Sequence, residues 1–404
     1  MVEQRADLTF KYNLKRGRHG WIRLTPAYSV KIVQQILDEH PDVRYVLDPF
    51  SGTGTTGLVC AEQGVRCDLL DINPFLVWFA RVKTAQYQPE TLQTTRESVK
   101  RLCRQAEKLP SRNGFWVPPI HNIHRWWPEA RLDILARLYE VLNQRFPTPS
   151  PVKDLLLVAF CNLMISWSNA AFNHQSLSFK GTEEHQLSLF DEEQQIYTHF
   201  VELVDTVTET ATDVLPVEVT VQQADSRHIP TLVQGAYDCV ITSPPYPNRM
   251  SYIRELRPYM YWLGYLKDGR EAGELDWQAI GGTWGIATSR LDTWESQNAG
   301  ALDSEFQTMI AAIAQKGPTL AKYVQRYFED IAAHLQSLYP VLASGAQVFY
   351  IVGNSRFYDT LVPVEQLYAD LLEMNGFAAV DITTIRKRNS KKELFEFVVS
   401  ATKV

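Results

Sequence analysis

Short apolar runs and amphipathic stretches alternate over the first 85 residues of the chain. Residues 43–47 and 65–70 are apolar runs of the length typical of buried strands, and helical periodicity follows each of them, over residues 53–63 and 75–83. The connections between these segments are short. This βαβα order predicts a mostly parallel sheet that is covered by helices on both faces.

The strand pattern returns only in the second half of the chain. Further strands are predicted at residues 217–222, 237–242 and 346–352, and two more within residues 383–402. The last two flank the basic turn 387–392 and predict an antiparallel hairpin at the edge of the sheet. Residues 323–342 have helical periodicity. The sequence therefore predicts an α/β fold with an interrupted seven-stranded sheet.

Two long segments do not fit this alternation. Residues 88–215 are rich in helical signals, which are clearest at 132–142 and 152–167. Residues 267–320 contain Gly, Ser and Thr with weak periodicity, as expected of a lid or long functional loop. We therefore predict a catalytic domain formed by residues 1–87 and 216–404, with a helical insertion at 88–215.

Composition narrows the class of protein. The 404 residues, 45% of them apolar, can bury a sizeable core. Neither a signal peptide nor a membrane-spanning run is recognisable, so we expect a cytoplasmic protein. The five scattered cysteines form no C-x-x-C pair, and neither a disulfide framework nor a metal site is expected. A net charge of −6 argues against a protein that coats nucleic acid through charge alone.

A glycine-rich turn follows the first predicted strand. Residues 47–57 read Leu-Asp-Pro-Phe-Ser-Gly-Thr-Gly-Thr-Thr-Gly and open a helical segment. Glycines there let the backbone approach a ligand, and the start of a helix favours an anionic group. Asp71 ends the second predicted strand, roughly 20 residues beyond the first glycine, where nucleotide-binding sheets place an acid against ribose hydroxyls. A dinucleotide is the alternative ligand, although the acid at position 48 disfavours a pyrophosphate.

The apolar run 237–242 ends in the tetrapeptide Ser243-Pro244-Pro245-Tyr246. Its hydroxyl, backbone carbonyls and aromatic ring can hold a planar base that carries an amino group. A rigid turn or a polyproline fragment is the alternative reading of Pro-Pro-Tyr. The position of the tetrapeptide after a strand, downstream of the glycine-rich turn, favours the base pocket.

Together, the glycine-rich turn and the tetrapeptide resemble those of the S-adenosylmethionine-dependent amino-methyltransferases of DNA. The resemblance covers about residues 10–85 and 217–265 and the C-terminal strands. It implies a Rossmann-like class I methyltransferase fold with S-adenosylmethionine as the cofactor. The residues that it assigns to the cofactor are Trp21, Thr25, Asp48, Pro49, Phe50, Ser51, Gly52, Gly54, Thr55, Thr56, Asp71, Ile72, Asn73, Asp225 and Ser226.

Three acids receive individual roles from this resemblance. Asp48 is expected near the methionine ammonium, Asp71 at the ribose, and Asp225 at the adenine amino group. Phe50 is expected to pack on the cofactor.

The tetrapeptide implies methyl transfer to an exocyclic amino group. The Ser243 hydroxyl and the Pro244 carbonyl would accept hydrogen bonds from the amino group and free its lone pair, while Tyr246 stacks on the ring. The base must first leave the duplex. Ser at the first position and residues 247–256 resemble cytosine-N4 enzymes more than adenine-N6 enzymes. An adenine-N6 enzyme, an RNA guanine-N2 methyltransferase and an inactive nucleic-acid-binding relative stay open.

Double-stranded DNA is the expected partner, and a restriction endonuclease is the expected companion of such an enzyme. The insertion precedes Asp225, whereas the family's usual recognition region follows it, so residues 88–215 and 267–320 are rival locations for reading the bases. The polar run 169–180 and the rings of Trp126 and Trp127 favour the insertion. The candidate DNA-binding residues are Arg18, Arg249, Asn173, Gln175, Arg386, Arg388 and Lys391.

Overall fold

The computed structural model places the predicted strands in one central sheet. It describes residues 4–24, 27–111, 114–171, 178–179, 189–229, 237–283, 285–296, 302–388 and 393–404. The strands are β1 (Tyr45–Asp48), β2 (Arg66–Asp71), β3 (Ala170–Ala171), β4 (Ser178–Phe179), β5 (Val219–Gln223), β6 (Tyr237–Thr242), β7 (Leu342–Gly353), β8 (Ser355–Phe357), β9 (Thr360–Val362), β10 (Phe377–Lys387) and β11 (Phe395–Lys403).

The strand order defines the fold class. The seven-stranded sheet runs β10-β11-β7-β6-β1-β2-β5, with parallel pairing from β7 through β5. β11 is antiparallel to both of its neighbours. The α/β, Rossmann-like class I methyltransferase fold implied by the sequence is therefore confirmed. The predicted antiparallel hairpin at the edge of the sheet is also present: β11 inserts between β7 and β10, and β10 forms the edge.

Helices cover the sheet and build the insertion. They are α1 (Phe10–Asn13), α2 (Val30–Glu39), α3 (Thr55–Glu62), α4 (Pro74–Thr84), α5 (Pro89–Lys108), α6 (Ile123–Trp126), α7 (Glu129–Arg145), α8 (Pro151–Ser166), α9 (Leu189–Thr210), α10 (Tyr252–Trp262), α11 (Gly269–Gln278), α12 (Ile286–Thr293), α13 (Ser304–Ala314), α14 (Pro318–Leu338) and α15 (Val364–Met374). In the described part of the chain, no helix is both long and apolar enough to cross a bilayer.

The helical insertion shares its hydrophobic core with the sheet-covering helices. One buried cluster joins Phe75 and Phe79 of α4 to the apolar faces of α5, α7, α8 and α9. Trp127 is fully buried, packs at 5.8 Å from the ring of Trp262, and donates from its indole to the Met164 carbonyl. Trp126 is 2% exposed. These two tryptophans therefore stabilise the core and are not available to fill a vacated base stack.

Most of the described part of the segment 267–320 is helical. α11, α12 and α13 are helices of 8 to 11 residues, and Asp268 and Asp303 cap two of them through their side chains. Such short helices span few periods, so their pattern is weak in the sequence. The expectation of a loop was wrong, although residues 278–282 of this segment do reach the pocket described below.

Candidate active site

The glycine-rich turn connects β1 to α3 at the carboxyl edge of the sheet. Gly54 caps α3 with φ of +72°, and a Cβ there would lie 3.0 Å from Ala80. Gly57 brings α3 against β2, since a Cβ would lie 2.6 Å from the Leu69 side chain. The buried Lys83 ammonium donates to the Thr53 carbonyl at 3.0 Å and fixes the turn from below. Lys83 carried no recognisable signal in the sequence.

Asp71 ends β2 directly beside this turn. Its carboxylate accepts hydrogen bonds from the backbone N–H of Gly52 at 2.9 Å and of Asn73 at 2.8 Å. Burial raises the pKa of Asp71 to about 7, and these two bonds act in the opposite direction. Asn73 caps α4 by accepting from the Phe75 N–H. The acid is thus held at the place that the sequence predicted.

One pocket joins the two sequence motifs. Its walls come from the glycine-rich turn, the end of β2, the turn after β5, the tetrapeptide and the segment after α11. Predicted site residues that line it are Pro49, Phe50, Ser51, Gly52, Thr55, Asp71, Ile72, Asn73, Asp225, Ser226, Ser243 and Pro245. Met250 and Tyr252, which belong to the segment 247–256 that resembles cytosine-N4 enzymes, also line it. The sequence did not single out Tyr28, Gln278 or Ile280, which complete this part of the wall.

Asp48 does not line this pocket, contrary to its expected place near the methionine ammonium. Its buried carboxylate accepts from Thr56 and Thr242 hydroxyls, both at 2.6 Å, and from the Phe50 N–H at 3.1 Å. Burial raises the pKa of Asp48 to about 6. Because Thr242 immediately precedes the tetrapeptide, Asp48 ties the glycine-rich turn to the strand that carries it. Thr56 likewise belongs to this network and not to the pocket wall.

The upstream segment reaches the pocket through different residues from those expected. Trp21 is 3% exposed and its indole donates to the Thr210 hydroxyl at 2.7 Å, so it packs in the helical core. Thr25 lies outside the described residues. Leu24, Ala27 and Tyr28 form this part of the wall.

Asp225 follows β5 and lines the pocket, but it is already bound by a cation. Arg227 donates to both of its oxygens, with the shortest contact at 2.7 Å, and also pairs with Asp330. The Ser226 carbonyl accepts a hydrogen bond from Nδ1 of the buried His334 ring at 3.0 Å. The same ring packs edge-on against Phe50 at 4.8 Å. Arg227 and His334 are supporting residues that sequence reasoning missed.

The tetrapeptide begins where β6 ends and is rigidly held. The Pro245 carbonyl accepts from the Tyr327 hydroxyl at 2.8 Å, and Pro244 is buried. The Tyr246 hydroxyl donates to Glu396 of β11 at 2.8 Å. Glu396 in turn accepts from Arg386 at 2.7 Å. Tyr246 therefore contacts the antiparallel strand β11 and is not among the residues that line the pocket.

The candidate DNA contacts divide into three groups. Arg249 and Arg388 border a second cleft beside the tetrapeptide. Arg386 is 17% exposed and forms an ion pair with the buried Glu396, so its charge is used within the protein. Asn173, Gln175 and Lys391 lie outside the described residues.

Arg18 is a structural residue, and its assignment as a DNA contact is wrong. It is 2% exposed and donates to the carbonyls of Ala85 at 2.6 Å and Ala211 at 2.8 Å, among others. It therefore ties the N-terminal segment to the ends of α4 and α9. No surface is left for a phosphate.

Replacing Arg18 by alanine is expected to lower the free energy of unfolding by about 3 kcal/mol, because several buried carbonyls would lose their donor. Urea unfolding monitored by tryptophan fluorescence measures this change. The salt dependence of DNA binding should not change in the folded variant. A stable Arg18→Ala protein with weakened DNA binding would contradict the structural role.

Comparison with known proteins gives one family and several full-length relatives. A model of the D12 class N6 adenine-specific DNA methyltransferases matches residues 30–121. The type II methyltransferase M.AvaI of Nostoc sp. is 22% identical over 96% of this chain and 86% of its own length. The type II methyltransferase M.BsoBI of Geobacillus stearothermophilus is 20% identical over 97% and 85%. The matched model spans the glycine-rich turn and Asp71 and stops before the tetrapeptide.

A solved structure, the rRNA methyltransferase aviRa from Streptomyces viridochromogenes, overlaps with 97% of this chain and 92% of its own. The TM-score is 0.31 and the sequence identity 11%. The fold assignment rests on the strand order and not on this overlap.

Proposed function

Because the chain belongs to the S-adenosylmethionine-dependent DNA amino-methyltransferases, we propose that it methylates cytosine N4 at a specific DNA sequence as the modification enzyme of a restriction system. The observation that carries this proposal is that the glycine-rich turn and Ser243 line the same pocket. A cytoplasmic location and a cognate restriction endonuclease belong to the same proposal. The type II names of the relatives support the restriction context.

S-adenosylmethionine is the methyl donor, and the pocket residues fit it. The Ser51 hydroxyl lines the pocket, is buried, and has no hydrogen-bond partner in the described structure. Asp71 presents a preorganised carboxylate for ribose hydroxyls. Asp225, two residues beyond Gln223, the strand partner of Asp71, also lines the pocket and is a candidate for the adenine end. When bound, the cofactor supplies an electrophilic methyl group.

The chain's own contribution is to position the amino group. Ser243 and the Pro244 carbonyl would accept its two N–H hydrogens, which directs the nitrogen lone pair towards the methyl. Two prolines fix the backbone torsions of the tetrapeptide, and the bonds of Thr242 to Asp48 and of Pro245 to Tyr327 hold both of its ends. Transfer between two well-oriented groups gains much of its rate from this positioning.

The choice of base is the finer part of the proposal. Ser243 at the first tetrapeptide position favours cytosine N4. The D12 match favours adenine N6 as the second candidate, but it covers the cofactor side of the pocket and none of the residues proposed to hold the base. The helical insertion 88–215 and residues 267–320 remain the two proposed locations of sequence recognition.

Nucleoside analysis of host DNA tests this proposal. We expect DNA from a bacterial host that expresses the protein to contain N4-methylcytosine, measured by mass spectrometry after digestion to nucleosides. The Ser243→Ala strain provides the background. N6-methyladenine in its place would establish the second candidate, and a modified guanine in RNA alone would contradict the DNA assignment.

A further inference from the structure

A second cleft lies on the other side of the tetrapeptide from the cofactor pocket. Its walls are the turn after Tyr246, the β8–β9 hairpin and the ends of β10 and β11. Ten described residues line it, and the argument depends on Arg249, Arg356, Arg388, Ser355 and Tyr358. Three of these are arginines and none is an acid, although the whole chain has a net charge of −6.

The arginines of this cleft are not neutralised by its surroundings. Arg249 and Arg356 are exposed, and neither forms an ion pair with a carboxylate in the described part of the chain. Arg388 donates to the Asn354 carbonyl at 2.9 Å. Asp359 of the β8–β9 turn and Glu396 of β11 pair with other cations, Lys316 and Arg386. With three arginines and no carboxylate among its described lining residues, the wall of the cleft carries positive charge.

Two further side chains in the cleft favour a nucleotide over a simple anion. The Ser355 hydroxyl is in a residue only 4% exposed and has no hydrogen-bond partner among the described residues. A buried polar group normally has a partner, so this one is suited to an oxygen of a bound ligand. Tyr358 is 50% exposed at the tip of the β8–β9 hairpin and offers a ring face. Bases stack on such rings in single-stranded nucleic acid.

The cleft is also coupled to the catalytic tetrapeptide. The Arg388 guanidinium lies 5.0 Å from the ring centroid of Tyr246. Gly353 allows this approach, because a Cβ there would lie 2.4 Å from the guanidinium and 3.0 Å from the Tyr246 ring. Arg249 follows the tetrapeptide by three residues. A strand bound in the cleft would therefore run directly past the place where the target base enters.

We propose that this cleft binds the backbone of the target DNA strand next to the extruded nucleotide. Arg249, Arg356 and the Ser355 hydroxyl contact phosphodiester oxygens, and Tyr358 stacks with a neighbouring unpaired base. Phosphate contacts of this kind fix register and orientation without reading sequence. The inference rests on the proposed function, which makes DNA the substrate.

Salt-dependent DNA binding tests the phosphate contacts. The double variant Arg249→Gln/Arg356→Gln is compared with the control Arg44→Gln/Arg66→Gln. The control also removes two exposed arginines, but these lie at the amino ends of β1 and β2, away from the carboxyl ends that carry the pocket. Binding to a fluorescent mixed-sequence duplex of about 20 base pairs is followed between about 50 and 200 mM KCl. Each lost phosphate contact lowers the slope of log K against log[KCl] by about 0.9, so the cleft variant should lose about 2 and the control nothing.

An unchanged slope in the cleft variant would overturn the proposal. A slope that falls only with an RNA duplex of the same sequence would assign the cleft to RNA and equally overturn the proposal.

The proposed stacking on Tyr358 has its own test. Tyr358→Ala should weaken binding of a single-stranded DNA oligonucleotide about tenfold, and Tyr358→Phe should not. Binding is measured without methyl transfer, so a reduced slope in a protein that methylates no DNA would support the cleft and contradict the proposed function.

Discussion

Replacing Ser243 or Tyr246 by alanine is expected to slow methyl transfer to DNA by about 100-fold, the usual cost of one lost positioning group in an active site. Ser243 would lose an acceptor for the target amino group, and Tyr246 would lose the ring proposed to hold the base. Neither residue contacts Asp71 or the glycine-rich turn through a hydrogen bond in the described structure. Cofactor affinity should therefore stay close to that of the unmodified protein. Single-turnover transfer of a labelled methyl group to DNA gives the rate, and titration calorimetry gives the affinity.

Tyr246→Phe is the matched control for the aromatic ring. It keeps the ring and removes the hydroxyl that donates to Glu396 at 2.8 Å, while Arg386 still neutralises that acid. The transfer rate should fall much less than in Tyr246→Ala. Because Tyr246 is not among the residues that line the pocket, a base can stack on it only from the side of the second cleft or after the Arg388 side chain moves. Full activity in Tyr246→Ala would remove the stacking role altogether.

Replacing Asp71 by alanine is expected to weaken S-adenosylmethionine binding by 1.5 to 3 kcal/mol, roughly 10- to 150-fold, as for other hydrogen bonds to a charged group. The variant loses the proposed acceptor for the ribose hydroxyls. It also loses the bonds that order the Gly52 and Asn73 backbone. Titration calorimetry measures the affinity directly. Asp71→Ala with undiminished affinity would contradict the assignment of this turn to the cofactor.

The pH dependence of cofactor binding gives a second readout of Asp71. Its pKa of about 7 in the free protein means that the ionised acceptor is lost as the pH falls through 7. Affinity should therefore fall as the pH is lowered below neutral, because a protonated carboxyl no longer accepts from both ribose hydroxyls. Asp71→Asn should remove the fall in cofactor affinity that comes from Asp71. Any pH dependence that comes from Asp48 or from the cofactor's own amino group should persist in this variant. A wild-type profile that is identical to that of Asp71→Asn would show that Asp71 does not titrate in this range.

The amino-acid sequence determined the local elements and the order of the two motifs. Glycine positions, the acid at the end of β2 and the proline pair depend on neighbours within a few residues, so their pattern predicted the turn, Asp71 and the rigid tetrapeptide. The alternation of apolar runs with helical segments likewise predicted a mostly parallel sheet, whereas the order of the strands within it came only from the structure. Short helices such as α12 were missed because eight residues hold too few periods to be distinguished from a loop.

Only the tertiary structure decided which charged residues are free to bind and which are used within the fold. Arg18 and Arg249 are alike in sequence, yet carbonyls of α4 and α9 surround the first, and the second borders an open cleft. Asp48 and Asp71 both end parallel strands. Threonines of α3 and β6 donate to the buried Asp48, whereas Asp71 lines the pocket. These outcomes depend on partners that are distant in sequence, up to 194 positions away for Asp48 and Thr242. Burial and pairing arise from such long-range contacts, and no local pattern records them.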